Sequence, residues 1–202
     1  MQNKVLVGTT IFLGVLFANT TAAVEKGDFL LRFGASNGVP KSDNHELVSA
    51  EAAASFTFTL SYMFTTNLSV ELLGAYPFEH DITLVDGGAK VGQTKHMSPT
   101  VTVHYHFLPE NRFKPYVGLG VNYTTFFDET TCGPFEGLDL KLGDSWGLAY
   151  ELGADFMLND TWLLNFSYRY IDLETHARLE HQSIGTVVVD PSLYSVNLGL
   201  RF

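Results

Sequence analysis

The chain has 202 residues, of which 46% are hydrophobic and only 17% charged, against roughly 25% charged in an ordinary soluble domain. A formal net charge of −10 argues against a nucleic-acid partner, which needs a basic surface. A single cysteine, Cys132, rules out an intrachain disulfide and any four-cysteine metal site, and 13% aromatic residues rule out a disordered chain.

Residues 1–23 read as a signal peptide. Lys4 is their only charge, an apolar run follows from Val5 to Ala18, and the small residues Thr21, Ala22 and Ala23 suit a peptidase site. That run is about 14 residues, too short to span a bilayer as a helix. Cleavage is expected after Ala23, leaving 24–202 as the mature domain. Losing Lys4 from the 12 basic residues against 22 acids brings the mature charge to −11. No later apolar run is long enough for a membrane helix.

Beyond residue 26 the chain alternates with a period of two. In 56–64 Phe56, Phe58, Leu60, Tyr62 and Phe64 share one face and Thr57, Thr59, Ser61 and Met63 the other. Val117, Leu119, Val121, Tyr123, Thr125 and Phe127 alternate with Gly118, Gly120, Asn122 and Thr124. Trp162, Leu164, Phe166, Tyr168 and Tyr170 do so with Asn165, Ser167 and Arg169. Tyr194, Val196, Leu198, Leu200 and Phe202 do so with Ser195, Asn197, Gly199 and Arg201. Weaker cases at 27–36, 67–80, 97–107 and 145–158 bring the total to eight strands.

Connections alternate between short turns (65–67, 108–112, 159–160) and long polar stretches near 37–53, 81–95, 129–144 and 175–187. Export, eight amphipathic strands and this alternation predict an all-β, eight-stranded antiparallel transmembrane barrel in the outer membrane, with short periplasmic turns and long extracellular loops. A secreted sandwich would have shorter, more regular turns. Aromatics collect at strand ends: Phe29, Phe64, Phe107, Phe156, Trp162 and Phe202 near the short turns, and Phe56, Phe78, Phe127 and Trp146 near the long loops.

Parity places Arg32, Glu71, Glu151, Asp155, Arg169 and Arg201 in the lumen. Three acids and three bases in so narrow a barrel should pair into a plug. Above it, Leu73, Ala75, Pro77, Phe126, Ile171, Leu173, Val189, Pro191 and Leu193 face inward and form an apolar cup, unless parity slips near the rim and turns them to lipid. Pro77, Pro99 and Pro191 lie inside strands near the extracellular side. A proline cannot donate to the ladder, so these positions either open a lateral gap or simply end strands.

The stretches SVELLGAYPFEHDI (69–82), KPYVGLGVNYTTFFDE (114–129), KLGDSWGLAYELGADFML (141–158), TWLLNFSYRYIDLET (161–175) and YSVNLGLRF (194–202) resemble the OmpW family of small outer-membrane proteins, which includes the AlkL hydrocarbon-uptake proteins. The similarity covers essentially the mature chain and is weak in the first and last long loops. The resemblance implies a barrel with a narrow apolar channel for small hydrophobic molecules and a lateral route into the membrane. The terminal alternation through Tyr194, Leu200 and Phe202 resembles the signal read by the barrel-assembly machinery.

Other chemistry is thin. His104 and His106 share a face but have no third ligand placed by sequence, so they read as lumen histidines and no metal is expected. His80 and His96 flank the second long loop and read as solvated. No G-x-S-x-G and no grouped nucleophile and base mark an enzyme, and no cofactor is implied. The acids Asp128, Glu129, Glu136, Asp139 and Asp144 make the third loop acidic. The expected function is passive uptake of small hydrophobic molecules. The alternative is a structural or surface-interaction barrel acting as receptor or adhesin through its loops. Expected partners are the bilayer and lipopolysaccharide, hydrophobic solutes, the assembly machinery and, at the loops, phage or bacteriocin.

Overall fold

In a computed structural model the described residues are 23–41 and 48–202. The expected signal peptide lies outside them except for Ala23. Eight strands close a barrel: β1 (Phe29–Val39), β3 (Ala53–Met63), β4 (Leu68–Ala75), β7 (Thr100–His106), β8 (Phe113–Thr131), β10 (Ser145–Met157), β11 (Trp162–Ile171) and β14 (Ser192–Arg201). Every neighbouring pair is antiparallel, and β8 pairs β10 from Phe113–Phe156 to Thr124–Ser145, which shuts the cylinder. Closure removes the unpaired edges that hydrocarbon would not tolerate.

The short turns form locally. Thr65 Oγ1 accepts from the N–H groups of Asn67 and Leu68, and Asn159 Oδ1 from those of Thr161 and Trp162. Short polar side chains that bond the backbone a few residues on are what a tight turn needs. The chain ends meet at this pole, where Phe29 and Phe202 exchange both backbone bonds.

Alternation becomes a sorted surface. Leu60, Leu72, Val101, Val103, Leu119, Leu148, Leu152 and Val196 stand exposed on the outside. So large an apolar band suits lipid and not water. Phe29 packs on Tyr62 and Phe202 near the turns, and Tyr123 on Trp146 near the opposite rim. Phe78 does not join that rim girdle; it points inward and is buried.

The long connections depart most from expectation, because they are themselves strands. They are β2 (Val48–Ala50), β5 (Phe78–Leu84), β6 (Lys90–Met97), β9 (Leu140–Leu142), β12 (Glu174–Leu179) and β13 (Gln182–Val188). β2, β5 and β6 carry the wall upward and join the long end of β8, while β13, β12 and β9 form a second small sheet. Glu180 and His181, both at positive φ, make the two-residue turn between β12 and β13.

The strand expected over 67–80 therefore breaks at Tyr76–Pro77 into β4 and β5, and that over 97–107 at Ser98–Pro99 into β6 and β7. The break changes parity. Leu73 is inward below it, and Phe78 and His80 are inward above it.

Candidate functional site

The lumen is layered. At the periplasmic end Val24, Leu30, Met63, Met157 and Leu163 form a small apolar seal. Above it lies a charged layer. Arg32 grips Asp155 in bidentate fashion (Nη2–Oδ2 2.6 Å, Nε–Oδ1 2.9 Å) and reaches Glu71 at 2.8 Å. Arg169 bonds the other Glu71 oxygen at 2.8 Å and also Glu151. His104 Nε2 lies 2.9 Å from Glu151, Tyr116 donates to Glu151 at 3.3 Å, and Asn165 donates to Asp155 at 2.8 Å. Bidentate guanidinium–carboxylate pairs are the geometry that lets such charges stay buried.

Five of the six residues expected in the plug thus form one network. Arg201, the last residue of β14, is outside this network and bonds Asp28 at 2.7 Å near the periplasmic rim. Parity places Asn165 and Asn197 on the polar face, but the expected plug names neither them nor Tyr116, and these three side chains link to one another and to the pairs. Glycines make room for it. A Cβ on Gly118 would fall in the His104 ring, and one on Gly153 in the Tyr116 ring. The oxygens of Glu71 and Glu151 and a ring nitrogen of His104 all lie within 4.8 Å of one another. Arg169 already bonds both carboxylates, so this trio is built as an ion-pair cluster.

Next come hydroxyls and amides. Ser36 bonds Thr57 and Ser195, each at 2.7 Å, and Asn122 bonds Thr100 and Thr124. Above these the lining turns apolar. Leu73, Ala75 and Leu193 pack with Ala53 and Phe78, while Ile171, Leu173, Phe126 and Val189 pack with Ala149.

Over this floor, enclosed by the extracellular sheets, is a cavity of about 300 Å³. One wall is β5 and β6, through Ile82, Leu84, Val91, Thr94, His80 and His96. The other is β9, β12 and β13, through Leu140, Leu142, Ala177, Leu179, Ile184 and Val187. Among the described residues no Asp, Glu, Lys or Arg lines it. Of the expected channel residues, Phe126, Leu173 and Val189 line the cavity, while Leu73, Ala75, Ile171 and Leu193 belong to its floor. Pro77 is half-buried at the strand break beside them, and Pro191 is half-buried just before β14, at its extracellular end.

His80 and His96 are not solvated loop residues. They are buried in the cavity wall, stacked at 5.0 Å with their planes 9° apart. Burial pushes both imidazoles below the ordinary histidine range, His96 to about 3.

Around Pro77 the ladder lapses on both sides. Toward β3 it runs up to Thr57–Ala75 and the Tyr76 N–H to Phe56 bond, then resumes where the Glu51 N–H meets the Asp81 carbonyl. Toward β7 and β6 it stops at Leu73–Thr100 and resumes at Phe78–His96. Among the described residues no backbone hydrogen bond crosses either interval. The other two prolines differ. The Pro191 carbonyl accepts from Ile171, and Lys41 donates to Val189 beside it, so β14 stays tied to both neighbours. Pro99 lies exposed, with its carbonyl bonded to Tyr123.

Known proteins share this architecture. The chain is 40% identical to outer membrane protein W of Vibrio cholerae, covering 94% of this chain and 97% of that one. It is 28% identical to outer membrane protein AlkL of Ectopseudomonas oleovorans over 92% of this chain and 79% of that one. The crystal structure of OprG from Pseudomonas aeruginosa superposes with a TM-score of 0.79 at 33% identity, covering 89% of this chain and 98% of OprG. The sequence model of the OmpW family matches residues 25–202, and the chain, an outer-membrane β-barrel, belongs to that family.

Proposed function

We propose that this barrel takes up small hydrophobic molecules passively, by way of the cavity between the extracellular sheets, and releases them sideways into the bilayer near Pro77. The observation that carries the reading is the order of the layers, an uncharged, mainly apolar cavity at the top of a lumen that is closed below by a filled ionic layer. An apolar solute gains about 0.8 kcal/mol per CH₂ taken out of water. The ionic layer below offers it nothing, because each carboxylate already holds its partners. The low-cost exit is lateral, where the ladder lapses on both flanks of Pro77 and hydrocarbon lies outside. No energy coupling is needed, since the solute moves from water to lipid down its own free-energy gradient. The AlkL resemblance points to the same solute class.

The test fills the cavity. Ala177 is buried in its wall, and Ala177→Phe puts a ring into the space. Cells carrying the variant, checked for folded barrel by gel mobility, should take up decane several-fold more slowly than cells carrying the unaltered chain. Pro77→Val restores a backbone donor at the gap and should slow uptake without changing binding in the cavity. Wild-type rates in both folded variants would defeat this route.

A further inference from the structure

The cavity has one wall unlike the rest. Phe78, His96 and His80 form a cluster of nearly parallel rings, with Phe78 to His96 at 5.4 Å and 11°, His96 to His80 at 5.0 Å and 9°, and Phe78 to His80 at 6.4 Å and 18°. Phe126 leans on the same cluster, its centroid 5.7 Å from that of His96. An aliphatic guest needs no such flat surface, whereas a planar π-system gains from offset stacking against it.

The imidazoles add polarity without charge. His80 Nδ1 lies 2.6 Å from the Glu51 carbonyl. A carbonyl can only accept, so that nitrogen carries the proton, and Nε2 of the neutral ring is an acceptor. His96 is 9% exposed, and its Nδ1 is buried with no hydrogen bond among the described residues. That nitrogen is closed off from the cavity, so the acceptor a guest can reach is Nε2 of His80 in the cavity wall. Burial holds both rings neutral at ordinary pH, which keeps their lone pairs available.

We propose that this wall is a recognition site for planar aromatic molecules bearing one hydroxyl or N–H donor, with the hydroxyarenes as the type. The assignment rests on the hydrophobic-uptake reading and sharpens it. Such a guest stacks on the His96–His80 pair and donates its single proton to an imidazole nitrogen. It therefore enters without abandoning a hydrogen bond, while the rest of its surface meets Ile82, Val91 and Ala177. A sugar would leave most of its hydroxyls unmet, and a carboxylate would find no cation among the described lining residues. At about 300 Å³ the cavity lies at the small end of ligand pockets, a size for one bicyclic arene.

The experiment titrates the full chain in phospholipid nanodiscs at neutral pH with 1-naphthol, 1-methoxynaphthalene and naphthalene, each corrected for partition into lipid. Imidazole ¹⁵N shifts are the readout of contact, with amide shifts of β5 and β6 giving affinity. The expected result is about tenfold tighter binding of 1-naphthol than of the other two, with an imidazole nitrogen shift for 1-naphthol alone. His96→Phe keeps the ring cluster and removes its lone pair, and His80→Phe does the same on the neighbouring strand. The double variant should bind all three ligands equally, at the naphthalene affinity. Equal binding of the three ligands to the unaltered chain overturns the inference and leaves the hydrophobic cavity standing. So does a preference for 1-naphthol that survives in the double variant. Failure of all three to perturb β5 and β6 overturns the uptake reading itself. The methoxy comparison needs no mutation, so a misfolded variant does not spare the proposal.

Discussion

The lower half of the lumen lies within the eight barrel strands and the upper half within the hairpins that extend them, and one is full where the other is hollow. In the lower half long side chains cross the barrel and meet: Arg32 touches Glu71 on β4 and Asp155 on β10, and Arg169 touches Glu71 and Glu151. Glycines 118 and 153 clear the floor for His104 and Tyr116. In the upper half the hairpins continue the wall and turn in Ala50, Val91, Thr94, Ala177 and Val187, none long enough to reach across. The difference is one of obligation. A buried charge must keep its partner, so a charged layer has to be filled and cannot open cheaply. An apolar wall owes its facing atoms no hydrogen bond. It forfeits only dispersion contacts when left empty, and a guest of the right shape restores them.

The largest test of that contrast removes Glu71. Among the described residues it is the carboxylate bonded to both Arg32 and Arg169, so Glu71→Ala strands two buried guanidiniums in part. The barrel should lose about 3–5 kcal/mol of unfolding free energy, read from urea titration followed by Trp146 and Trp162 fluorescence. A loss under 1 kcal/mol would mean that water already reaches this layer. Ala177→Phe in the cavity wall should cost far less, because it breaks no ion pair and has a cavity to enter.

Next in size is the contrast between neighbours on one strand. Leu72 is 50% exposed to lipid and Leu73 only 4% exposed in the cavity floor. Leu72→Lys, near the middle of the apolar band, should cost about 2–4 kcal/mol of stability in vesicles and leave decane binding intact in the barrels that do fold. Polar substitution at Leu73 cannot serve as a clean transport test, since it would bury a charge among Ala53, Phe78 and Leu193. If Leu72→Lys proves neutral, the band is not where the alternation puts it.

These two leucines also show what the sequence could carry. The barrel was legible because lipid outside and packed lumen inside impose opposite chemistry on alternate residues, and eight such runs survive between short turns. Arg32, Glu71, Glu151, Asp155 and Arg169 were legible for the same reason, since a charge at an inward position has only other inward residues to meet. The upper site was not. Tyr76–Pro77 shifts the parity, so Phe78 and His80 sit inward against the count that places Leu73 and Ala75 there. The sheets above the rim read as loops because β2 and β9 have only three residues each, and the register of β13 shifts beside Gly185, at φ 123°. Short strands with one small or polar face carry little periodic signal. His80 and His96, sixteen positions apart, become a pair only through the β5–β6 hairpin.

Another effect separates the halves by pH. His96 stands near 3 in the folded protein against 6.5 as a free side chain, because burial disfavours its charged form. The folded upper sheet therefore binds fewer protons than the opened one. Its stability is full above about pH 6.5 and falls as pH drops toward 3, by at most about 1.4 kcal/mol per pH unit. Amide exchange in β5 and β6, corrected for its intrinsic pH dependence, should quicken across that window. His96→Phe should remove most of the dependence, and β5–β6 protection that does not change between pH 7 and 4 would contradict the buried neutral ring.

The smallest effect tests the same contact in two media. Lys90 and Asp81 lie 2.6 Å apart, as close as Arg32 and Asp155, but are 45% and 38% exposed where the arginine pair is sealed. Out in solvent the Coulomb gain is screened, and holding a flexible lysine costs entropy, so a good distance brings little. Lys90→Ala should leave both the unfolding midpoint and β5–β6 exchange nearly unaltered, and added salt should erase even that difference. The salt dependence is the sharper measurement. Arg32–Asp155 should ignore salt, because no counterion reaches it. An equal response of both pairs would show that the lower lumen is wet, and the distinction between a filled ionic layer and a hollow apolar one would fail at its base.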